Sequence, residues 1–375
     1  MVKEATALEK NTTQAEEISI DGFDYIEFFV GNALQASYYY HRGFGFDVVG
    51  FKGLETGSRD VVSYALKQDH VAIVLTGTLK GGTEVSQHVE KHGDGVKSVG
   101  MRTRDVRKAY ELAVSRGAAL VQEPIEITDE NGTYISASVR TYGDTVHTFV
   151  DRSKYNGFAP GYKAVAGKSG RGVGLASVDH VVGNVDEDKL LEWVEFYSRV
   201  FGFYVFQYFD ASDISTKYSA LVSKVMANKS GSIKMPINEP YEQGLRKSQI
   251  SEYLDFYHAP GVQHIAVTTR DIIATVKELR SRGIDFLPTP ASYYATLTER
   301  VGKIDEDIDQ LAELGILVDR ESEGYLLQIF TKPVEDRPTL FFEIIQRKGA
   351  KGFGKGNFQA LFESIEREQE NRGNL

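Results

Sequence analysis

Residues 95–118, GVKSVGMRTRDVRKAYELAVSRGA, and residues 261–284, GVQHIAVTTRDIIATVKELRSRGI, align with each other without a gap. Each copy begins with a strand-like run. An aspartate, Asp105 or Asp271, then precedes an amphipathic stretch that ends at a glycine. Aspartate favours the start of a helix and glycine favours its end. The two stretches therefore predict one strand-helix unit that occurs twice in the chain.

Two further pairs of segments repeat in the same order. DYIEFFV, from Asp24, corresponds to DHVVGNV, from Asp179. TVHTFVDR (145–152) corresponds to LFFEIIQR (340–347) as the closing strand of each copy. Self-similarity at a fixed order of elements is the signature of a duplicated architecture. We therefore expect an α+β protein that consists of two similar halves.

The length of 375 residues also points to two domains. We expect a disordered tail over residues 1–18 and a first domain over 19–157. A Gly-, Pro-, Lys- and Ser-rich linker is expected over 158–174, and a second domain over 175–375.

Composition excludes several kinds of function. The chain has no cysteine, so disulfides and thiolate metal sites are excluded, and its net charge of −10 opposes binding to nucleic acid. No apolar run approaches the roughly 18 residues of a membrane span. The amino-terminal residues are acidic and amide-rich, unlike a secretory signal. We expect no nucleic-acid or membrane partner and a cytoplasmic location.

A nucleotide cofactor is not expected either. The AGKS string at 166–169 is similar to the end of a phosphate-binding loop, but that motif needs a glycine where this chain has Tyr162. GFGKGN (352–357) lacks the spacing of a dinucleotide-binding loop.

The two halves differ at three aligned strand positions. At these positions the second half carries metal-ligating side chains and the first half does not: His180, His264 and Glu343 stand where the first half has Tyr25, Ser98 and Thr148. Two imidazoles and one carboxylate are the set of a facial triad, which leaves positions open on an octahedral iron(II). The pattern predicts a metal site in the second half.

Glu343 carries most weight in this argument. A half-buried strand over LFFEII places its side chain on the same face as Phe341 and Ile345, where an unpaired carboxylate is costly. The alternative is a Glu343 paired with an arginine or lysine beside two incidental histidines. We expect the remaining histidines on the surface or around the site: His41, His70, His88, His92, His147 and His258.

Several strings in the second half resemble one known family. In order along the chain they are PINEP (236–240), KSQI (247–250), GVQHIA (261–266), GYLLQIFTKP (324–333), DRPTLFFEIIQR (336–347) and GFGKGNFQALF (352–362). The paired halves resemble the vicinal oxygen chelate superfamily, the glyoxalase/bleomycin-resistance-like proteins. The second half is similar to the 4-hydroxyphenylpyruvate dioxygenase family over nearly its whole length, and the first resembles only the scaffold module.

The resemblance implies two tandem domains of paired βαβββ modules, with the second domain forming an open barrel around one Fe(II) per chain. His180, His264 and Glu343 would be the iron ligands, with no catalytic residue beyond these and the pocket. The implied substrate pocket contains Ser219, Asn238, Gln249, Gln263, Gln328, Phe330, Phe341, Asn357 and Phe358. On a strand, Gln263 should point away from the face of His264. It would then act through a neighbour or only pack.

The implied reaction converts an aromatic α-keto acid, 4-hydroxyphenylpyruvate, and O2 into homogentisate and CO2 through oxidative decarboxylation, ring hydroxylation and side-chain migration. This is a step of tyrosine and phenylalanine catabolism, and it needs no 2-oxoglutarate. Two alternatives are a 4-hydroxymandelate synthase, which hydroxylates the benzylic carbon, and a non-catalytic member that binds an aromatic compound. The family also implies a homodimer or homotetramer. The carboxyl-terminal helix can act as a lid or simply pack.

Overall fold

The computed structural model describes residues 16–167, 169–210, 215, 220–241 and 247–374. The first half contains β1 (Gly22–Phe29), α1 (Ala33–Arg42), β2 (Asp47–Lys52), β3 (Val61–Gln68), β4 (Val71–Thr78), α2 (Glu84–His92), β5 (Gly95–Arg102), α3 (Val106–Ser115), β6 (Leu120–Asp129), β7 (Gly132–Arg140), β8 (Val146–Tyr155) and β9 (Lys163–Ala164). A 3-10 turn at Leu54–Thr56 follows β2.

The second half contains β10 (Leu175–Asn184), α4 (Leu190–Phe196), β11 (Tyr204–Phe209), β12 (Ala220–Ala227), β13 (Lys234–Tyr241), α5 (Gln249–Tyr257), β14 (Gly261–Thr269), α6 (Ile272–Ser281), α7 (Ala291–Ala295), α8 (Leu297–Val301), α9 (Ile308–Leu314), β15 (Leu317–Glu321), β16 (Gly324–Phe330), β17 (Phe341–Lys348) and α10 (Lys355–Arg372). A π-helical turn at Tyr197–Phe201 extends α4. None of these helices has the length and apolar character needed to span a bilayer.

The described strands form two sheets of the same design. The first has the order β6-β7-β8-β5-β1-β4-β3-β2-β9 and the second has β11-β12-β13-β10-β14-β17-β16-β15. In each sheet, the first strand of a module runs parallel to the last strand of that module, as β1 does with β4 and β14 with β17. Two modules then join through antiparallel first strands, β1 with β5 and β10 with β14. The expectation of two domains of paired βαβββ modules is confirmed.

The register of the two sheets matches the sequence repeat. Ser98 pairs with Val146 across β5 and β8, and the aligned His264 pairs with Phe341 across β14 and β17. Helices α3 and α6 also start as predicted, because Asp105 accepts a hydrogen bond from the backbone N–H of Lys108 at 2.9 Å and Asp271 accepts the equivalent bond at 3.0 Å.

The two halves share one apolar core. Phe342, on β17 of the second half, packs against Phe44 and Phe28 of the first, with ring centroids 5.1 and 6.4 Å apart. Val181 and Ile265 belong to the same buried cluster. The strands that carry the three aligned polar residues therefore rest on a continuous core, which holds them rigidly.

The segment predicted as a linker packs against the first half. Phe158 and Tyr162 contact each other, with ring centroids 5.2 Å apart, and β9 pairs with β2. The backbone N–H groups at the end of the segment, starting with that of Val173, donate to the side-chain oxygen of Gln68. Of the AGKS string, Lys168 lies outside the described residues. This segment is therefore a structural part of the first half as well as a connection.

Most of the predicted tail, residues 1–15, lies outside the described residues. Ile18, at its end, is buried, and its backbone N–H donates to the carbonyl of Phe201 at 3.0 Å. The expectation for the histidines is wrong at three positions, since His88, His92 and His147 are buried. The ring of His88 packs edge-on against Phe29 of the first half. The rings of His92 and His147 hydrogen-bond to Tyr257 and Tyr197 of the second half.

Candidate metal centre

Three neighbouring strands bring the predicted ligands together. His180 lies on β10, His264 on β14 and Glu343 on β17, and these strands are adjacent in the second sheet. The Nε2 atoms of His180 and His264 lie 3.2 and 3.5 Å from Oε2 of Glu343. All three residues are buried, and their ligand atoms lie within 4.8 Å of one another. Within the described parts of the chain, no other His, Asp or Glu group meets that criterion.

In each imidazole, the Nδ1 atom, which faces away from Glu343, has a hydrogen-bond partner. Nδ1 of His180 lies 2.7 Å from Oδ2 of Asp179, and Nδ1 of His264 lies 3.1 Å from Oε1 of Gln263. Because both partners are acceptors, each Nδ1 carries the proton and each Nε2 keeps its lone pair for a metal. Strand alternation predicts that Gln263 points away from the face of His264. In the structure its side chain bends back and contacts the imidazole of His264.

The carboxylate of Glu343 is arranged in the same way. Its Oε1 accepts a hydrogen bond of 2.7 Å from Nε2 of Gln328, and its Oε2 faces the two imidazoles. Gln328 in turn accepts from Nδ2 of Asn357 at 2.8 Å, and Oδ1 of Asn357 accepts from the hydroxyl of Tyr293 at 2.7 Å. The outer oxygen is therefore satisfied, and the inner oxygen is available for a cation.

Electrostatics favours a positive charge at this point. Burial would raise the pKa of Glu343, but the neighbouring His180 and His264 hold it at about 2. Burial lowers the pKa of His264, whereas Glu343 and Asp179 outweigh burial and raise the pKa of His180. The negative charge of Glu343 and Asp179 therefore favours a cation beside His180. The donor set and its charge fit a divalent metal.

The aligned positions of the first half hold hydroxyl groups instead of ligands. Oγ of Ser98 lies 2.8 Å from Oγ1 of Thr148, which also contacts the hydroxyl of Ser138 at 2.9 Å. Burial raises the pKa of the Tyr25 hydroxyl well above its usual value, and Ser98 and Thr148 are its hydrogen-bonding neighbours. These neutral groups hydrogen-bond to one another, so these three positions carry no negative charge that would attract a cation.

Aromatic rings surround the triad on one side. The ring of Phe341 stacks on His264 at 4.7 Å, and Phe330 meets the same imidazole edge-on at 6.1 Å. Phe358, at the start of α10, contacts Phe209 at 4.9 Å. Phe330 and Phe341 share an apolar cluster with Leu361 of α10. The structure thus brings the predicted phenylalanines to the second sheet and the helix that packs on it.

The predicted polar pocket residues fall into two groups. Gln328, Asn357 and Gln263 are bonded to the triad or to one another, as described above. Asn238 and Gln249 are buried and each has an amide oxygen without a partner among the described residues. Ser219 lies outside the described residues. Unpartnered buried polar atoms are costly, so a polar ligand group at Asn238 and Gln249 is favourable.

Two polar residues beside Asn238 were missed in the sequence. Ser223 on β12 and Asn184 on β10 pair with Asn238 from either side, and both are fully buried. Oγ of Ser223 and Nδ2 of Asn184 have no partner among the described residues. The pairing of β12 with β13 is the signal for Ser223, because it places this serine opposite the asparagine of PINEP. That register was not readable from strand alternation alone.

Comparisons with known proteins agree with this architecture. Residues 177–329 match the family described as Glyoxalase/Bleomycin resistance protein/Dioxygenase superfamily. Residues 15–162 match the family described as Hydroxyphenylpyruvate dioxygenase, HPPD, N-terminal. The two sheets of paired modules and the buried two-histidine, one-glutamate cluster therefore define a protein of the glyoxalase/dioxygenase superfamily.

Curated relatives narrow the class. A 4-hydroxyphenylpyruvate dioxygenase of Dictyostelium discoideum is 48% identical over 369 residues, which are 95% of this chain and 100% of the relative. Another, of Danio rerio, is 47% identical and covers 94% of this chain and 92% of the relative. The chain belongs to the 4-hydroxyphenylpyruvate dioxygenase family.

Solved structures show the same fold. A triple mutant of 4-hydroxymandelate synthase from Streptomyces coelicolor superimposes with a TM-score of 0.85 at 32% identity, covering 94% of this chain and 100% of that one. A fusion of a xylose isomerase-like TIM barrel with 4-hydroxyphenylpyruvate dioxygenase gives a TM-score of 0.74 at 21% identity, over 98% of this chain and 56% of that chain. The second likeness concerns the fold alone.

Proposed function

We propose that this chain is an Fe(II)-dependent dioxygenase that converts 4-hydroxyphenylpyruvate and O2 into homogentisate and CO2. The observation that carries the proposal is the convergence of two Nε2 atoms on Oε2 of Glu343, with every outer ligand atom already bonded. Relatives that match nearly the full length of the chain are named 4-hydroxyphenylpyruvate dioxygenases, which supports the proposal.

His180, His264 and Glu343 would hold the iron, one ion per chain. An iron(II) ion with a facial triad supplies open positions and the redox chemistry that activates dioxygen. The protein's part is to keep both imidazoles in the tautomer that leaves Nε2 free and to keep Glu343 ionised. Asp179, Gln263 and Gln328 do this through their contacts with the three ligands.

The substrate pocket would lie beside the triad. Phe330 and Phe341, which flank His264, can enclose the aromatic ring of the substrate. Asn238, Gln249 and Ser223 offer buried polar atoms without partners, and a phenol can donate to one such atom and accept from another. Gln263, Gln328, Asn357 and Phe358 would complete this pocket, together with Ser219, which lies outside the described residues.

The reaction balances without a second organic substrate. The bond between the carboxylate and the keto carbon of 4-hydroxyphenylpyruvate breaks, and its two electrons reduce dioxygen as CO2 leaves. One oxygen atom enters the new carboxylate and the other enters the ring, while the side chain migrates to the neighbouring carbon. No 2-oxoglutarate or nucleotide is therefore required. Because the three ligands are buried, bulk water is kept from the oxidising centre.

The wider context is also part of the proposal. We infer a homodimer or homotetramer in the cytoplasm, acting in tyrosine and phenylalanine catabolism, with no nucleic-acid or membrane partner. Sedimentation of the purified protein tests the oligomeric state, and a monomer would contradict it.

Product identification tests the activity. Purified protein is supplied with Fe(II), O2 and 4-hydroxyphenylpyruvate, and the product is identified by chromatography and mass. Homogentisate is the expected product. Hydroxymandelate would show the chemistry of the 4-hydroxymandelate synthases, which the 32% identical neighbour represents. Absence of turnover together with absence of iron affinity would favour a non-catalytic protein that binds an aromatic compound.

A further inference from the structure

The carboxylate of Asp179 lies between the proposed ligand His180 and the half-buried Arg347. Its Oδ2 contacts Nδ1 of His180 at 2.7 Å and Nη2 of Arg347 at 2.7 Å, while its Oδ1 accepts from Nε of Arg347 at 2.8 Å. The two hydrogen bonds from Arg347 hold the carboxylate in place behind the imidazole. Nδ1 of His264 has only the neutral amide of Gln263 at the same place, so the two imidazoles are not equivalent.

Arg347 also holds the segment that leads into α10. Its Nη1 donates to the carbonyl of Gly352 at 2.6 Å, and its guanidinium lies 5.7 Å from the ring centroid of Phe353. Phe353 in turn meets the ring of His180 edge-on at 4.8 Å. One arginine thus connects the ligand, through Asp179, with the residues that precede α10.

The first half contains the same unit without a metal ligand. Arg152 donates to Asp24 and to the carbonyl of Phe158, and its guanidinium lies 4.8 Å from the ring centroid of Phe158. Tyr25, which stands where the second half has His180, lies 6.2 Å from the same ring. The exposures of the two ion pairs are also close, at 20% and 6% for Arg152 and Asp24 and 17% and 9% for Arg347 and Asp179.

The repeat therefore separates two roles of the unit. In both halves, an Asp–Arg pair attaches the segment after the closing strand to the strand that comes first in that half, β1 or β10. What only the second half has is an imidazole on the carboxylate. We propose that Asp179 and Arg347 are positioning residues that orient His180, strengthen it as a metal ligand and couple it to the segment entering α10. This inference rests on the proposed metal centre.

The test compares Asp179→Asn with its structural twin, Asp24→Asn. Both substitutions keep the shape of the side chain and remove the negative charge from a half-buried Asp–Arg pair. Metal affinity is measured by anaerobic calorimetry with Fe(II), and stability is measured by urea unfolding without metal. We expect both variants to lose stability, but only Asp179→Asn to bind Fe(II) about 10- to 100-fold more weakly. Equal Fe(II) affinity in the two variants would overturn the positioning role.

A second pair keeps the test decisive if Asp179→Asn does not fold. Arg347→Lys and Arg152→Lys preserve the charge but not the two-pronged contact with the carboxylate. Co(II) added to each variant gives an absorption spectrum that depends on ligand geometry, and only Arg347→Lys should change it. Identical spectra would contradict the proposal. Failure of the unmodified protein to bind either metal would overturn the centre itself, whereas metal binding without homogentisate would overturn only the proposed reaction.

Discussion

At the scale of single residues, the two halves place different chemistry on the same backbone positions. Tyr25, Ser98 and Thr148 satisfy one another through hydroxyl groups, whereas the aligned His180, His264 and Glu343 direct three ligand atoms at one point. The difference in function follows from three side chains and their outer partners. Each of these partners lies beside its ligand in sequence or on an adjacent strand.

Replacing the carboxylate ligand tests the triad. Glu343→Gln should weaken metal binding by more than about 100-fold and abolish turnover, because a neutral amide is a poor ligand for a hard cation. The fold should persist, since the new amide oxygen can still accept from Gln328. Metal titration and turnover assays measure the effect. Thr148→Ser, at the aligned position of the first half, should leave both properties unchanged. An equal loss in that variant would contradict the assignment of the metal centre to the second half.

A buried histidine of the first half predicts a dependence of stability on pH. Burial lowers the pKa of His147 to about 3, compared with about 6.5 in an unfolded chain. Below about pH 6.5, His147 binds a proton in the unfolded chain but stays neutral in the folded protein. The free energy of unfolding should therefore fall as the pH drops, by up to about 1.4 kcal/mol per pH unit from this group.

Urea unfolding of the metal-free protein between about pH 6 and about pH 4 measures this slope. His147→Gln should make the slope shallower than in the unmodified protein. His70→Gln removes a histidine whose side chain is 81% exposed, and it should leave the slope unchanged. A His147→Gln variant with the original slope would contradict the assignment.

At the scale of elements, hydrogen bonds between side chains of α7, α10 and β16 connect α10 with the metal centre. Asn357 of α10 donates to Gln328 of β16, and the hydroxyl of Tyr293 of α7 donates to Asn357. The backbone N–H of Val318 on β15 also donates to that hydroxyl, at 2.8 Å. These hydrogen bonds fix the start of α10 relative to Glu343.

Removing one hydroxyl tests this connection. Tyr293→Phe should reduce kcat/KM because Asn357 loses its donor, and it should cost about 1 kcal/mol of stability. Tyr294→Phe is the matched control, since its hydroxyl donates to the carbonyl of Ile316 at 2.9 Å and shows no contact with Asn357. Urea unfolding and steady-state kinetics of both variants provide the comparison. Equal kinetics in the two variants would show that these hydrogen bonds do not influence the site.

Elements also show how far sequence patterns reach. The starts of α3 and α6 and the pairing of the closing strands followed from aspartate caps and the repeat, because these signals are local. The positions of His180, His264 and Glu343 followed from the difference between the copies. Ser223 did not, because its place depends on the register of β12 against β13. The burial of His88, His92 and His147 depends on packing between distant segments, which no local pattern records.

At the scale of the whole molecule, the two halves pack around a shared core. Phe342 precedes Glu343 on β17 and points into aromatic side chains of the first half. The scaffold half therefore supports the strand that carries the carboxylate ligand. This arrangement explains how a half without metal ligands contributes to the centre.

Truncating this contact tests the shared core. Phe342→Ala should cost about 3–5 kcal/mol, because it opens a cavity between the halves. Both halves should still unfold together in urea, in a single transition followed by circular dichroism and fluorescence. Phe256→Ala, at a side chain that is 37% exposed, should have a much smaller effect. Two separate transitions in the unmodified protein would contradict the shared core.

The most direct test of the proposed function follows both oxygen atoms of dioxygen. Purified protein with Fe(II) is given 4-hydroxyphenylpyruvate under labelled O2, and the product and the released CO2 are measured. We predict homogentisate with one heavy oxygen in the ring hydroxyl and one in the carboxylate, and one CO2 for each turnover. A product labelled at the benzylic carbon, or no turnover by a protein that binds Fe(II), would contradict the account.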